Sequence, residues 1–237
     1  MNIILHLGLG SFHRAHQAVY LQRLIEQGDT GWAIAGGNLR ADMADTMAAL
    51  AAQGGQYTLE TVAPDGSTQY ERITSIQTIV PYEPSLAGLI ALGAKPETKI
   101  ISFTVTEAGY YLDDTHRLDL NHADIRSDLA GTTRGTVYGA VAAILATRVQ
   151  QHAGPVTLMN CDNLRSNGER FRAGLLDFLA HRGDAPLRAW VEANTTCPNA
   201  MVDRITPRPL PELAARVKAA TGWADQAPVM GDRKSVV

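Results

Sequence analysis

The stretch ILHLGLGSFHRAHQ, residues 4–17, constrains this chain more than any other. An apolar run of strand length ends in Gly8 and Gly10. It passes at once into a segment whose apolar residues Ala15, Val19, Leu24 and Ile25 recur with helical spacing until Gly28. A nearly continuous apolar strand is buried on both faces, the condition of a parallel sheet covered by helices. A strand that turns directly into a helix leaves the first N–H groups of that helix unpaired, at the positive end of its dipole. Such a turn suits pyrophosphate, with Gly8 allowing the tight bend and Gly10 the close approach of phosphate to backbone. His13 stands where the dinucleotide fingerprint has its third glycine, so a plain strand-to-helix turn remains the competing reading.

The rest of the chain alternates in the same way. Trp32 to Ala35 reads as a second buried strand closed by Gly36 and Gly37, with a helix over 41–52. Segments 56–63 and 68–80 flank Pro64-Asp65-Gly66 and predict an inserted β-hairpin. A short helix over 85–92, a strand over 99–106 and a helix from a Thr132 or Thr133 cap to 152 follow. A strand over 156–159 and a helix over 169–181 come next. Pro207 and Pro209 then break the chain before a last helix over 211–220. The order predicts an α/β fold, a doubly wound, mostly parallel sheet carrying the hairpin.

Composition excludes several function classes. The 237 residues are 45% hydrophobic with a formal charge of −3. That affords a packed core but no basic surface for nucleic acid or an anionic membrane. No apolar run has the length of a membrane span. Cys161 and Cys197 form no Cys-x-x-Cys pair, so neither a disulfide framework nor structural zinc is expected, and a reducing cytoplasm fits. His13 and His16 lie three apart without a third ligand nearby, so no metal site is expected, and His6 reads as a core histidine. Past the second strand, Asp42 could hold the adenosine ribose of NAD, while Arg40 could neutralise the 2′-phosphate of NADP. NAD is the expectation, with NADP open.

Four stretches in order, GLGSFHRAHQ (8–17), TVTEAGYYLD (104–113), CDNLRSNG (161–168) and MVDRITPRP (201–209), resemble the polyol-specific long-chain dehydrogenases, the mannitol dehydrogenase family. The resemblance runs from about residue 3 to 230, and SFTVTEAGYYLD is most similar to the arabinitol 4-dehydrogenase branch. Mannitol 2-dehydrogenases and fructuronate or tagaturonate reductases are the near alternatives. Cys197 departs from the aromatic residue or serine usual at its place.

The resemblance implies a Rossmann domain over 1–205 and an NAD-dependent exchange of a sugar alcohol and its ketose, D-arabinitol and D-xylulose favoured. It assigns Gly8, Gly10, Ser11, Phe12, His13 and Arg14 to the dinucleotide turn, with Arg14 as a cation near the pyrophosphate. Glu107 and Asp203 would lie on the nicotinamide side, and Asn163 would steady the substrate oxygen. Plainer roles compete: a loop cap for Glu107, an Asp203–Arg204 ion pair, ordinary turns for Asn163 and Asn167. The family's general base is a lysine in a Lys-x-x-x-x-Asn-x-x-His motif of a second, helical domain. None of Lys95, Lys99, Lys218 and Lys234 lies in that pattern. Residues 206–231 are therefore read as the start of a truncated second domain, the missing partner of the first. Residues 232–237, Asp-Arg-Lys-Ser-Val-Val, are read as a non-native tail, the in-frame translation of a sequencing adapter. The chain by itself is expected to bind the dinucleotide without turnover. A free-standing nucleotide-binding module and, more remotely, an S-adenosylmethionine site are the readings from other classes.

Overall fold

Residues 2 to 7, polar only at Asn2 and His6, form β1 (Asn2–Leu7), the strand on which the molecule is built. The architecture is that of a computed structural model, which describes residues 1–115, 117–202 and 206–232. After β1 come α1 (Ser11–Ala15), α2 (Gln17–Glu26), β2 (Trp32–Gly37), α3 (Ala44–Ala52), β3 (Tyr57–Val62), β4 (Thr68–Ile73), β5 (Ile76–Ile79), α4 (Ala87–Gly93) and β6 (Thr98–Phe103). A 3₁₀ turn over Glu107–Tyr110 leads to α5 (Ala123–Leu129), α6 (Val137–Gln150), β7 (Val156–Asn160), α7 (Asn167–His181), α8 (Ala185–Asn194) and β8 (Thr195–Thr196). The last described elements are α9 (Leu213–Thr221) and β9 (Val229–Asp232).

Six strands pair in the order β5-β2-β1-β6-β7-β8, every pair parallel. The chain winds outward from β1 through β2 and β5, then returns to start β6 on its other side. That reversal between β1 and β6 is the switch point where open α/β sheets bind ligands. Side chains of a strand alternate between faces. Leu5 and Leu7 accordingly join Ile144 and Leu145 of α6 and Phe171 and Phe178 of α7 in one core. Ile4 faces the other way, into a core with Val19 of α2, Leu50 of α3 and Tyr57 and Leu59 of β3.

Three departures from the sequence reading have physical causes. The single helix expected between the glycine turn and Gly28 breaks at His16 (φ −121°, ψ −90°). Residues 13, 14, 15, 18, 19, 21 and 22 are all buried, and at 100° per residue they would cover about two thirds of one straight helix. The break lets α1 insert inward while α2 lies along the sheet. The hairpin forms as β3 against β4, but its second arm stops at Ile73. There Gln22 Oε1 accepts from Thr74 N (2.7 Å) and Ser75 Oγ donates to Ala18 O (2.7 Å), turning the chain back into the main sheet as β5. The helix expected from Thr132 or Thr133 is capped instead by Thr136, whose Oγ1 accepts from Gly139 N.

The segment read as the opening of a second domain packs on the first. Strand β9 pairs in parallel with β3, completing a small sheet β4-β3-β9. Arg216 of α9 donates to both oxygens of buried Glu60 at 3.0 and 2.7 Å. Asp225, fully buried, accepts from Thr58 N and Ala227 N. Val229, Met230 and Gly231 after a proline give too short an apolar pattern to announce β9. Among the described residues no helix is long and apolar enough to cross a membrane.

Candidate functional site

At the switch point the carboxyl ends of β1, β2 and β6 open into a cavity of ≈ 540 Å³. Gly8 sits on its floor with φ +108°, a conformation side-chain-bearing residues rarely adopt. The turn is tied to the end of β2, because Gly8 N donates to Gly37 O (2.9 Å) and Leu9 N to Asn38 Oδ1 (2.9 Å). Gly10, the N-cap of α1, has an ordinary extended backbone (φ −69°, ψ 174°). A Cβ on Gly10 would meet no protein atom within 4 Å. The fold itself does not require glycine there, and the space a side chain would take stays open. Beyond it, the first-turn N–H groups of α1 have no partner within their helix. This helix is a single turn, so the site relies on those local donors more than on a long dipole.

The described sequence-derived residues divide into three groups, and Asp203 falls outside them. Gly8, Gly10, Phe12, His13 and Asp42 line the cavity, and Ser11 opens α1 between lining neighbours. His13 is 1% exposed, with its ring stacked 3.5 Å from that of His6 and neither nitrogen bonded to protein. Burial pushes His6 down to about 3, and burial with neighbouring His6, Arg14 and His16 pushes His13 well below 6.5, so both rings are neutral. His6 pairs through Nδ1 with Ser102 Oγ (2.8 Å), as a core histidine does.

Arg14 lies elsewhere. Its side chain turns from the cavity, donates through Nη1 to Ala227 O (2.5 Å) and lies 5.3 Å from the centre of the Tyr57 ring. The expected pyrophosphate cation is thus a tie between α1 and the C-terminal segment, a consequence of the broken helix. Glu107 and Asn163 follow β6 and β7 at the same sheet edge, but both are exposed and neither lines the cavity. Glu107 borders a separate pocket with Leu164 and Arg170. Asp203 lies outside the described residues.

The structure also brings in residues the sequence did not single out. Thr104, just past β6, lines the cavity with a buried Oγ1 that has no protein partner. Its only sequence signal was a hydroxyl placed directly after an apolar run. Asp124 and Tyr111, also unannounced, hold Arg40, the cation the sequence did offer, across the cavity mouth. Below, Tyr110 OH donates to Asp162 Oδ2 (2.6 Å) and accepts from Asn160 Nδ2 (2.5 Å). Burial pushes Tyr110 far up, and burial likewise pushes Cys161 up to about 12, so neither ionises near neutrality. Among the described residues no group of three or more His, Cys, Asp or Glu could hold a metal ion. An open cavity with glycines at its floor, unpaired N–H donors and an orphaned hydroxyl fits an elongated ligand carrying phosphate.

Comparison with known proteins agrees with that geometry. The family model for the mannitol dehydrogenase Rossmann domain matches residues 2–232. D-arabinitol 4-dehydrogenase of Klebsiella pneumoniae is 57% identical over 228 residues, and that of Ralstonia nicotianae 58% over 232. These matches cover 96% and 97% of this chain and 50% of each relative. Mannitol 2-dehydrogenase of Pseudomonas fluorescens, solved as a ternary complex with NAD and D-mannitol, superposes with a TM-score of 0.91 at 36% identity. It is matched over 98% of this chain and 47% of its own. The chain spans about half the length of the curated relatives it matches.

Proposed function

The chain belongs to the mannitol dehydrogenase family, matching its Rossmann domain, and from that premise we propose that it is the NAD-binding half of a polyol dehydrogenase. The parent activity is the interconversion of a sugar alcohol and a ketose. D-arabinitol and D-xylulose are favoured by the likeness to D-arabinitol 4-dehydrogenases. Bound NAD supplies the hydride acceptor, and the protein supplies position and electrostatics. The N–H groups of the α1 turn hold the pyrophosphate, Gly10 keeps its path clear, and Asp42 takes the adenosine ribose. Thr104 Oγ1 offers a hydrogen bond to the ligand from the cavity wall. Asn163 donates to the substrate oxygen as it gains charge, and Asp203 serves the nicotinamide ribose; both assignments rest on the family motifs. Proton removal needs a base, and no lysine here lies in the family's motif. We therefore expect dinucleotide binding without turnover from this chain.

One observation carries the proposal: the protein leaves open, on the cavity floor, the space that a Cβ at Gly10 would take. Calorimetric titration with NAD of the chain and of Gly10→Val tests it. The unaltered chain binds, and the variant binds at least about tenfold more weakly. Its melting temperature shifts by no more than about 3 °C, because the added Cβ meets no protein atom within 4 Å. Equal affinity in the variant, or no binding by the unaltered chain, would defeat the reading.

A further inference from the structure

Arg40 was the one feature of the sequence pointing to NADP, and the structure shows it already engaged. Its Nη2 donates to Asp124 Oδ2 (2.8 Å) and to Tyr111 OH (2.8 Å), and its Nε to Gly135 O (3.4 Å). Tyr111 OH lies 3.2 Å from the same Asp124 oxygen, closing a three-membered cluster. The cluster is assembled by local structure. Tyr111 has a left-handed backbone (φ 49°), which a side-chain-bearing residue seldom adopts. The His122 ring packs edge-on against the phenol, 4.7 Å between centroids, while its Nδ1 accepts from Asp124 N. Arg40, Asp42, Tyr111 and Asp124 all line the cavity.

We propose that Asp124 and Tyr111 make the site select NAD over NADP by holding Arg40 away from a ribose 2′-phosphate. This inference rests on the reading of the cavity as a dinucleotide site. At the end of β2, where the adenosine ribose is read, two carboxylates face one guanidinium. A 2′-phosphate brought there gains Arg40 only if Arg40 releases Asp124, and it then stands beside two like charges. A bare 2′-hydroxyl has no such conflict. Selectivity arises from an unfavourable term against the wrong ligand, as well as from contacts to the right one. The Arg40 and Asp124 side chains are 55% and 42% exposed, so as a surface ion pair they contribute little to stability. The pair can therefore be altered without unfolding the domain.

Titration of the 237-residue chain with NAD and with NADP tests this as a ratio of dissociation constants. Asp124→Asn keeps the shape and removes the charge, and the NADP-to-NAD ratio falls about tenfold. Tyr111→Phe, which removes only the hydroxyl, moves the ratio in the same direction by less. Adding Arg40→Ala to Asp124→Asn erases the gain, because the freed guanidinium is its source. A ratio unmoved by Asp124→Asn and Tyr111→Phe, or a gain that survives loss of Arg40, overturns the inference while NAD binding by the unaltered chain leaves the site reading intact. If the unaltered chain binds neither dinucleotide, the site reading falls and takes this inference with it.

Discussion

The two edges of the main sheet treat buried polar groups differently. At the amino edge, where β6 and β7 begin, Arg148 has no exposed surface. Its guanidinium and Nε donate to the carbonyls of Gly93, Lys95, Ala153, Gly154 and Pro155 at 2.7–3.1 Å. All five donors of an arginine are used. At the carboxyl edge, both nitrogens of His13, Thr104 Oγ1 and Asn160 Oδ1 are buried without a protein partner. A buried polar atom left unpaired costs about 1–3 kcal/mol. A fold that saturates one edge and tolerates that cost at the other is shaped at the second edge by something besides its own stability. Within this family the natural candidate is a ligand that completes the unpaired atoms.

Removing the saturated group gives the largest expected effect. Arg148→Met fits the aliphatic stem but strands five carbonyls, and we expect a loss on the order of 4 kcal/mol or more. Urea unfolding reads it directly. A loss under about 1 kcal/mol would show that water replaces the guanidinium easily, and the contrast between the edges would fail.

The next effect belongs to the unsaturated edge and depends on pH. His6 titrates near 3 and His13 well below 6.5 in the folded chain. Between 6.5 and those values the unfolded chain binds protons that the folded chain does not, so stability rises with pH across that window and is lost on acidification. From pH 7.5 to 5.0 the His6 shift alone removes about 2 kcal/mol, and the His13 shift acts in the same direction. His13→Leu deletes one such site together with two unpaired nitrogens. Unfolding midpoints at both pH values should show a shallower acid loss in the variant, with no loss of stability at pH 7.5. An unchanged slope would mean that His13 is protonated in the folded chain.

These contrasts explain which parts of the molecule were legible in the sequence. β1, β2, β6 and β7 are each built around a short apolar run bounded by glycine or polar residues, and each begins and ends within a few residues of its expected place. Gly8, Gly10 and Asp42 follow those strands directly, so locating the strands located them on the cavity. The helix α8 also had readable signals, an Asp184 cap and Pro186 in its first turn, which periodicity elsewhere overshadowed. Other features depend on contacts between distant parts of the chain. Residues 206–231 are tied to the earlier part of the chain through Arg216 and Asp225 reaching Glu60 and Thr58. Arg14 faces inward because α1 breaks, and no local pattern encodes that break. Arg40 and Asp124 are 84 positions apart, so the sequence could offer Arg40 as a free cation but not reveal its partner.

The smallest predicted effect compares two threonines at opposite ends of one strand. Thr98 begins β6, is fully buried and donates through Oγ1 to Leu92 O (2.8 Å). Thr104 immediately follows β6 and donates to no protein atom. Valine has the same shape without the hydroxyl. Thr98→Val should cost about 1 kcal/mol, since it breaks a made bond, whereas Thr104→Val should cost nothing or add a few tenths, since it removes an unmade one. NAD affinity should reverse the order, with Thr104→Val weakening it by about threefold and Thr98→Val leaving it unchanged. If Thr104→Val destabilises the chain as much as Thr98→Val, its hydroxyl is satisfied within the protein, and the two edges differ less than their hydrogen bonds indicate. If it is silent in both assays, the hydroxyl faces neither protein nor ligand, and the cavity wall at β6 plays no part in binding.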